Sequence, residues 1–403
     1  MSSPSTRPPS AAAARTTTAA RPVPDADAGH AYRFGFILNV TLGNMTRYLN
    51  LRKYAERDPE VACSWAPVSH YTPPDFPSRL RFLPDPLFMR ARVLQQAMPL
   101  LRELGRMEAV MIHLFEAELL CSLRSYVASA PLLVSSTDEA PIVDPSRYPL
   151  YPSERAKPPW RRKLRLGLDF WRVRRMSFFI PFSQWAADIL IKGCGAPAEK
   201  VRAIHVGLDL DLWTFPQTIP RGPRIKILFV GGDFKRKGGD LLLDVFGARF
   251  QDSAELHLVT RQAPAALPPH VHVHDDFVPN DPRFAELYAS VDMLVVPTTA
   301  DTGPLWVFME AMAMGLPVIG TDTGSNAELV RDGETGFIVP VGDGAALSHA
   351  IQALASDREL RLGMGRRGRQ LIERNYSAAI NVPLILQCMK DLVDAQRPSG
   401  ERR

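Results

Sequence analysis

The chain has 403 residues, 46% of them hydrophobic, enough for a large core and for two to three domains. A formal net charge of +5 with a pI near 9.1 suits an anionic ligand or an acidic surface without demanding either. The four cysteines, Cys63, Cys121, Cys194 and Cys388, show no paired spacing, and no uncharged run reaches the roughly 18 residues of a membrane span, so a zinc site, a disulfide framework and an integral membrane protein are set aside.

Such cysteine usage fits a reducing, cytoplasmic compartment. Residues 1–30 are mostly Ser, Thr, Ala, Pro and Arg, lack the periodicity of a folded element, and read as a disordered tail. No apolar core follows Arg7, which argues against a secretory signal; the Arg-rich, acid-poor start leaves a transit peptide and a floppy cytosolic tail both open.

From Tyr32 on, short apolar runs alternate with helical patterns. Strands are predicted at Phe34–Leu38, Ala109–Leu114, Leu132–Ser135 and Phe178–Pro181, with helices over Leu42–Ala55, Met89–Leu104 and Glu116–Val127. Pro and Gly then interrupt the periodicity, and Leu208–Pro223 reads as a linker. Beyond it, strands are predicted at Ile225–Val230, Glu255–Val259, Val271–His274, Met293–Val296 and Pro317–Gly320. Helices are predicted at Leu241–Phe246, Arg283–Ser290, Pro304–Met314, Asn326–Arg331 and Leu347–Leu354. This alternation predicts an α/β chain of two doubly wound, parallel-sheet, Rossmann-like domains, residues 31–207 and 224–375, joined by the 208–223 linker. Ligands bind at the carboxyl ends of such strands, so two facing domains would place the site in the cleft between them.

The stretch "TADTGPLWVFMEAMAMGLPVIG" holds one carboxylate, Glu310, inside an apolar helical segment. Pro304 suits a first helical turn, and Asp301 or Thr302 can cap it. The free N–H groups around Gly303, Pro304 and Leu305 would face an anion such as a diphosphate. Glu310 either points to water or accepts hydrogen bonds from two ribose hydroxyls; spacing leaves both open. "GGDFKRKGG" follows a strand at Gly231. Gly231 and Gly232 let backbone approach a ligand, and Lys235, Arg236 and Lys237 bring charge, as a phosphate cradle or as a solvated basic turn. The loop lacks both the Walker and the dinucleotide-binding glycine patterns.

In the first half, Gly43 opens a helix after the first strand, His113 ends a strand, and Asp138 follows another in "SSTDEAP". Each has an acceptor-side reading and a structural one. "KPPWRRKLRLGLDFWRVRRM", Lys157–Met176, is a basic amphipathic helix that fits either an anionic membrane surface or a solvated face; no recognised module accompanies it, so nucleic acid is not expected.

"FMEAMAMGLPVIGTDTGSNAELVRDGETGFIVPVGD" resembles the sugar-nucleotide signature of the retaining glycosyltransferases of family 4, of GT-B fold, with Asp332, Gly333, Thr335 and Gly336 on its tail. "ILFVGGDFKRKGGDLLLDVF" resembles the opening of that family's second domain, and "PFSQWAADIL" with "EKVRAIHVGLDLDLW" the end of its first. The resemblance covers roughly residues 32–390. It implies transfer of a sugar from a nucleoside-diphosphate-sugar to a saccharide, lipid-linked or small-molecule acceptor. It implies retention, no cofactor beyond the donor and no divalent metal. By the resemblance, Glu310 grips the donor ribose, Lys237 and Arg236 meet the diphosphate, and His113 lies near the transferred sugar. The last helix, 376–396, returns to the first domain. Two departures stand out. Gly232 replaces a usual Arg. Thr302 stands where the first family glutamate is expected, with Asp301 beside it, either in that role or as a helix cap. A sugar-nucleotide epimerase of the same architecture and a non-catalytic sugar-nucleotide-binding protein are the alternatives.

Overall fold

The computed structural model describes residues 31–41, 43–69, 85–124, 131–137, 158–215, 222, 224–277, 281–303 and 305–397. Two parallel sheets organise them. The first contains β1 (Tyr32–Asn39), β2 (Val61–Val68), β3 (Ala109–His113), β4 (Leu132–Ser135) and β5 (Phe178–Phe179), in the order β2-β1-β3-β4-β5. The second contains β6 (Ile225–Val230), β7 (Ala254–Val259), β8 (Val271–His274), β9 (Met293–Val295), β10 (Val318–Thr321) and β11 (Gly336–Val339), in the order β11-β10-β9-β6-β7-β8. Every pair in both sheets is parallel. This is the α/β architecture expected from the alternation of elements.

The sequence reading omits β2 and β11, and the reason is compositional. "VACSWAPV" mixes small, polar and aromatic residues and contains Pro67, which a strand tolerates at a sheet edge, where β2 lies. "GFIV" is short, starts with Gly and also forms an edge. A third omission is the helix Arg358–Asn375, whose Gly363, Gly365 and Gly368 weaken the helical signal. Packing explains two of these glycines: a Cβ on Gly365 would lie 1.8 Å from the Gly315 carbonyl oxygen, and Gly368 rests against Met312.

Both faces of the first sheet are covered. Phe36 stacks on Trp65 with centroids 4.4 Å apart, beneath Tyr48 and Leu51 of the helix Asn44–Ala55. Ile37, Val110 and Ile112 face the helices Asp85–Arg102 and Phe115–Arg124. The final helix, Ala378–Gln396, lays Val382, Ile385, Leu386 and Met389 on the first face. Lys390 ties it down with Nζ contacts of 2.9 Å to Asp58 and 2.7 Å to Glu60.

The chain therefore passes between the sheets twice, and the two passes are bonded to each other. Leu208 N donates to the Tyr376 carbonyl at 2.7 Å, and Ala378 N donates to the Leu208 carbonyl at 2.9 Å. Beside them Lys53 Nζ reaches Asp209 at 2.6 Å and Asp211 at 2.8 Å. Residues 1–30, 216–221 and 223 of the expected tail and linker lie outside the described residues. Among the described residues no helix is long and apolar enough to cross a membrane.

At the far edge of the second sheet, parallel pairing aligns His257 with His272 and Val259 with His274, so three imidazoles share one face. His257 Nδ1 lies 3.1 Å from His274 Nε2, and the His257 ring stacks on both neighbours. Burial, followed by the charges of the neighbouring histidines, pushes His257 down to about 4 from 6.5. An imidazole with a depressed folded pKa takes up its proton more readily in the unfolded chain. Its stability contribution is therefore complete above about 6.5 and is lost as pH falls towards about 4. The melting temperature is expected to drop on acidification from pH 6.5 to 4.5, and to drop less in His257→Asn. Equal drops in calorimetry would mean that other groups carry the acid sensitivity.

Candidate functional site

The site forms where β6 and β9 end. The loop after β6 closes at Gly238, which adopts φ +79° and would place a Cβ 2.0 Å from the Pro297 carbonyl oxygen. Only glycine satisfies both the left-handed backbone and that approach. The close approach lets the two loops bond: Thr299 N donates to the Arg236 carbonyl at 2.8 Å, and the Thr298 and Thr299 hydroxyls reach the same oxygen at 3.2 and 3.0 Å. Lys237 packs over Gly231, whose missing Cβ leaves room for its stem.

The two loops converge on Asp301. Arg236 Nη1 lies 3.0 Å from Oδ1, Lys237 Nζ lies 2.9 Å from Oδ2, and Thr298 Oγ1 donates to Oδ2 at 2.6 Å. Arg236 also donates to the Ala300 carbonyl at 2.8 Å and to Asp233 at 3.1 Å. The three charged side chains are largely buried, with exposures of 21% for Arg236, 13% for Lys237 and 9% for Asp301. Loss of water pushes the Lys237 ammonium below its usual range, and Asp301 acts against that shift.

This arrangement corrects the cap expectation. The helix begins at Trp306, not Pro304, its N-cap is Leu305, and no side chain caps it. Asp301 is held by the two cations instead. Thr302 is buried, and its carbonyl accepts from Ser325 N at 3.3 Å. Gly303 continues the loop, Leu305 is buried, and Pro304 and Asp138 lie outside the described residues. Gly232 leaves open space around its Cα.

Glu310 lies in the second turn of the helix Trp306–Ala313, where Tyr288 Oη donates to Oε2 at 3.0 Å. Burial pushes this carboxyl up to about 7, opposed by the Tyr288 hydrogen bond. Removing a carboxylate from water disfavours its charge, so Glu310 gains most from a ligand that donates hydrogen bonds to it.

The two halves meet directly at this helix. A Cβ on Gly43 would lie 2.9 Å from Trp306 Cδ1, so this glycine of the first half touches the helix that bears Glu310. Glu328 accepts from Gln184 N at 3.0 Å and Trp185 N at 2.5 Å, in the first turn of the helix Gln184–Asp188. In the first half, His113 ends β3 with its ring 5.4 Å from Phe182, and the Arg47 guanidinium covers Phe182 at 4.1 Å while donating to Ser136 at 2.6 Å.

Sequence reasoning missed Thr298, Tyr288, Glu328 and Arg47. Glu328 lies inside the quoted signature, which offered a signal; Tyr288 and Arg47 belong to helices whose partners are distant in sequence. Ser325 Oγ and Asn326 Oδ1, beside the Thr302 carbonyl, are buried without a hydrogen-bond partner among the described residues. Among the described residues, no group of three or more His, Cys, Asp or Glu side chains is placed to hold a metal ion.

Residues 224–357 match the family model described as glycosyl transferases group 1. A phosphatidyl-myo-inositol mannosyltransferase from Mycobacterium leprae is 30% identical over 228 residues, covering 54% of this chain and 56% of the relative. The chain spans about half or less of the length of the curated relatives it matches. Among solved structures, a sucrose-phosphate synthase from Thermosynechococcus elongatus superposes with a TM-score of 0.71 at 17% identity, over 91% of this chain and 100% of that one. The Anabaena HepE protein, solved with UDP-glucose, superposes with a TM-score of 0.64 at 16% identity, over 89% of this chain and 100% of that one. The group 1 match thus lies on residues 224–357, in the second sheet's half of the chain, and the GT-B fold extends across both sheets.

Proposed function

We propose that this protein transfers a sugar from a nucleoside-diphosphate-sugar to an acceptor hydroxyl, with retention at the anomeric carbon and without a divalent metal. The carrying observation is the convergence of Arg236 and Lys237, both largely buried, on one anionic position at the ends of β6 and β9, next to the helix that bears Glu310. When the bond between the anomeric carbon and the diphosphate breaks, negative charge grows on the departing oxygen. Two preorganised cations in a water-poor corner stabilise that charge more than they stabilise the intact donor. Glu310 takes the ribose hydroxyls. The acceptor enters from the side of Gly43, His113 and Arg47. The Anabaena HepE complex with UDP-glucose supports a nucleotide-sugar donor. The relatives favour neither the epimerase nor the binding-protein alternative.

A lipid-linked acceptor on an anionic membrane is supported by the helix Pro159–Arg175. Trp160 and Leu164, one turn apart, are 61% and 59% exposed, and Arg161 and Lys163 are exposed between them. The other end of the helix is anchored in the core, where buried Arg172 pairs with buried Glu118. An apolar stripe edged with cations on a fixed helix suits the interface of an acidic bilayer.

A thermal-shift screen against UDP-, GDP-, ADP- and TDP-sugars identifies the donor, because binding to the folded state raises the midpoint. With that donor, Glu310→Gln is expected to weaken binding by about 1.5–3 kcal/mol while the fold survives. Wild-type affinity should strengthen as pH rises through about 7, where the carboxyl ionises, and the variant should lack that dependence. Unchanged affinity in calorimetry would remove Glu310 from the ribose site. Lys237→Ala should cut turnover by roughly 10²–10³ with a smaller change in donor dissociation constant. An unchanged maximal rate with a proportionate loss of binding would reduce Lys237 to a ground-state anchor.

A further inference from the structure

The cation pair is already occupied by a side chain of the protein, and that occupancy has a consequence for donor binding. Asp301 presents one oxygen to Arg236 and the other to Lys237, much as two neighbouring phosphoryl oxygens would. The backbone around it is held on both sides. The Ala300 carbonyl accepts from Arg236, and the Thr302 carbonyl accepts from Ser325 N. Gly324 lies against both the Asp301 and Thr302 carbonyls, so close that a Cβ would stand 2.6 and 2.5 Å from them. The loop therefore cannot retreat easily, but the Asp301 side chain can leave by rotating about χ1.

We infer that Asp301 is an internal competitor for the diphosphate: its carboxylate holds Arg236 and Lys237 paired until a diphosphate displaces it, a role that rests on the diphosphate reading given above. The exchange conserves charge pairing. The incoming diphosphate takes the two cations, and like-charge repulsion expels the carboxylate. A ligand with a single weak negative charge gains little over the carboxylate it must replace, whereas a diphosphate carries more charge and more acceptor oxygens than Asp301. The latch thus selects for diphosphates and keeps the two buried cations paired between turnovers.

The test uses inorganic pyrophosphate, the part common to every nucleoside diphosphate, in calorimetric titrations of the full chain. Wild type is compared with Asp301→Asn and Asp301→Ser, two variants that remove the charge with different side-chain shapes. A site blocked by its own latch binds with an affinity reduced by the fraction of time it is open, so both variants should bind pyrophosphate about tenfold tighter than wild type. Without ligand they should melt earlier, since Lys237 loses its ion-pair contact with Asp301 and Arg236 loses one of its two carboxylate contacts, and pyrophosphate should raise their midpoint more than it raises that of wild type. Adding Lys237→Gln to Asp301→Asn should abolish the gain. If wild type binds pyrophosphate and neither variant binds it more tightly, Asp301 is no competitor and the diphosphate reading still stands. If the gain survives Lys237→Gln, pyrophosphate is binding elsewhere and the latch is rejected. If none of the proteins binds pyrophosphate, the latch and the diphosphate reading fall together.

Discussion

Two cations and one carboxylate share a buried corner at the ends of β6 and β9, and the organisation of the cleft follows from keeping them there. Burying Arg236 or Lys237 alone would be costly, because neither gives up its hydration cheaply. Asp301 makes the burial tolerable, and the Thr298 hydroxyl completes its coordination. The backbone arrangement serves the same end. Gly238 lets the loop after β6 touch the chain leaving β9, and the Arg236 carbonyl then receives the N–H and the hydroxyl of Thr299. The loops act as one rigid rim from which the cations project.

The second constraint is the closeness of the two halves. Trp306 rests on Gly43, and Glu328 receives the first-turn N–H groups of the helix Gln184–Asp188. Behind the cleft, Leu208 and the Tyr376–Ala378 stretch cross side by side. Lys53 with Asp209 and Asp211, and Lys390 with Asp58 and Glu60, fix either side of that crossing. Contacts at front and back set how far the strand ends of the second sheet stand from those of the first. The back ones include a full helix laid on the first core.

Electrostatics and burial divide the labour within the site. Glu310 is held by Tyr288 in a setting that raises its pKa, so its charge is sensitive near neutrality. The Asp301 group holds opposite charges in contact. Glu310 is thus set by loss of water, whereas Asp301 sits in contact with two cations, and these two environments suit a neutral hydroxyl partner and an anionic partner respectively.

Much of this was legible in the chain. Strand–helix alternation dictates parallel sheets, because strands buried on both faces must be continuously apolar and must be joined by helical crossovers. The glycine-flanked basic loop and the lone carboxylate at Glu310 stood out because charge is costly in such surroundings. Local pattern failed where packing overrode propensity: β2 keeps Pro67 because it is an edge strand, and Arg358–Asn375 stays helical through its glycines because Gly365 must clear the Gly315 carbonyl. It failed again where side chains meet across long separations, as Tyr288 meets Glu310, Glu328 meets Gln184, and Arg47 meets Phe182. The sequence by itself determined the fold class and offered a glycine-flanked basic loop and a lone carboxylate in an apolar segment, since both depend on periodicity and local chemistry. Only the tertiary structure decided that Asp301 faces Lys237 and Arg236 rather than capping a helix. Nothing local distinguishes those fates; the choice depends on how two loops more than sixty residues apart are brought together by adjacent parallel strands.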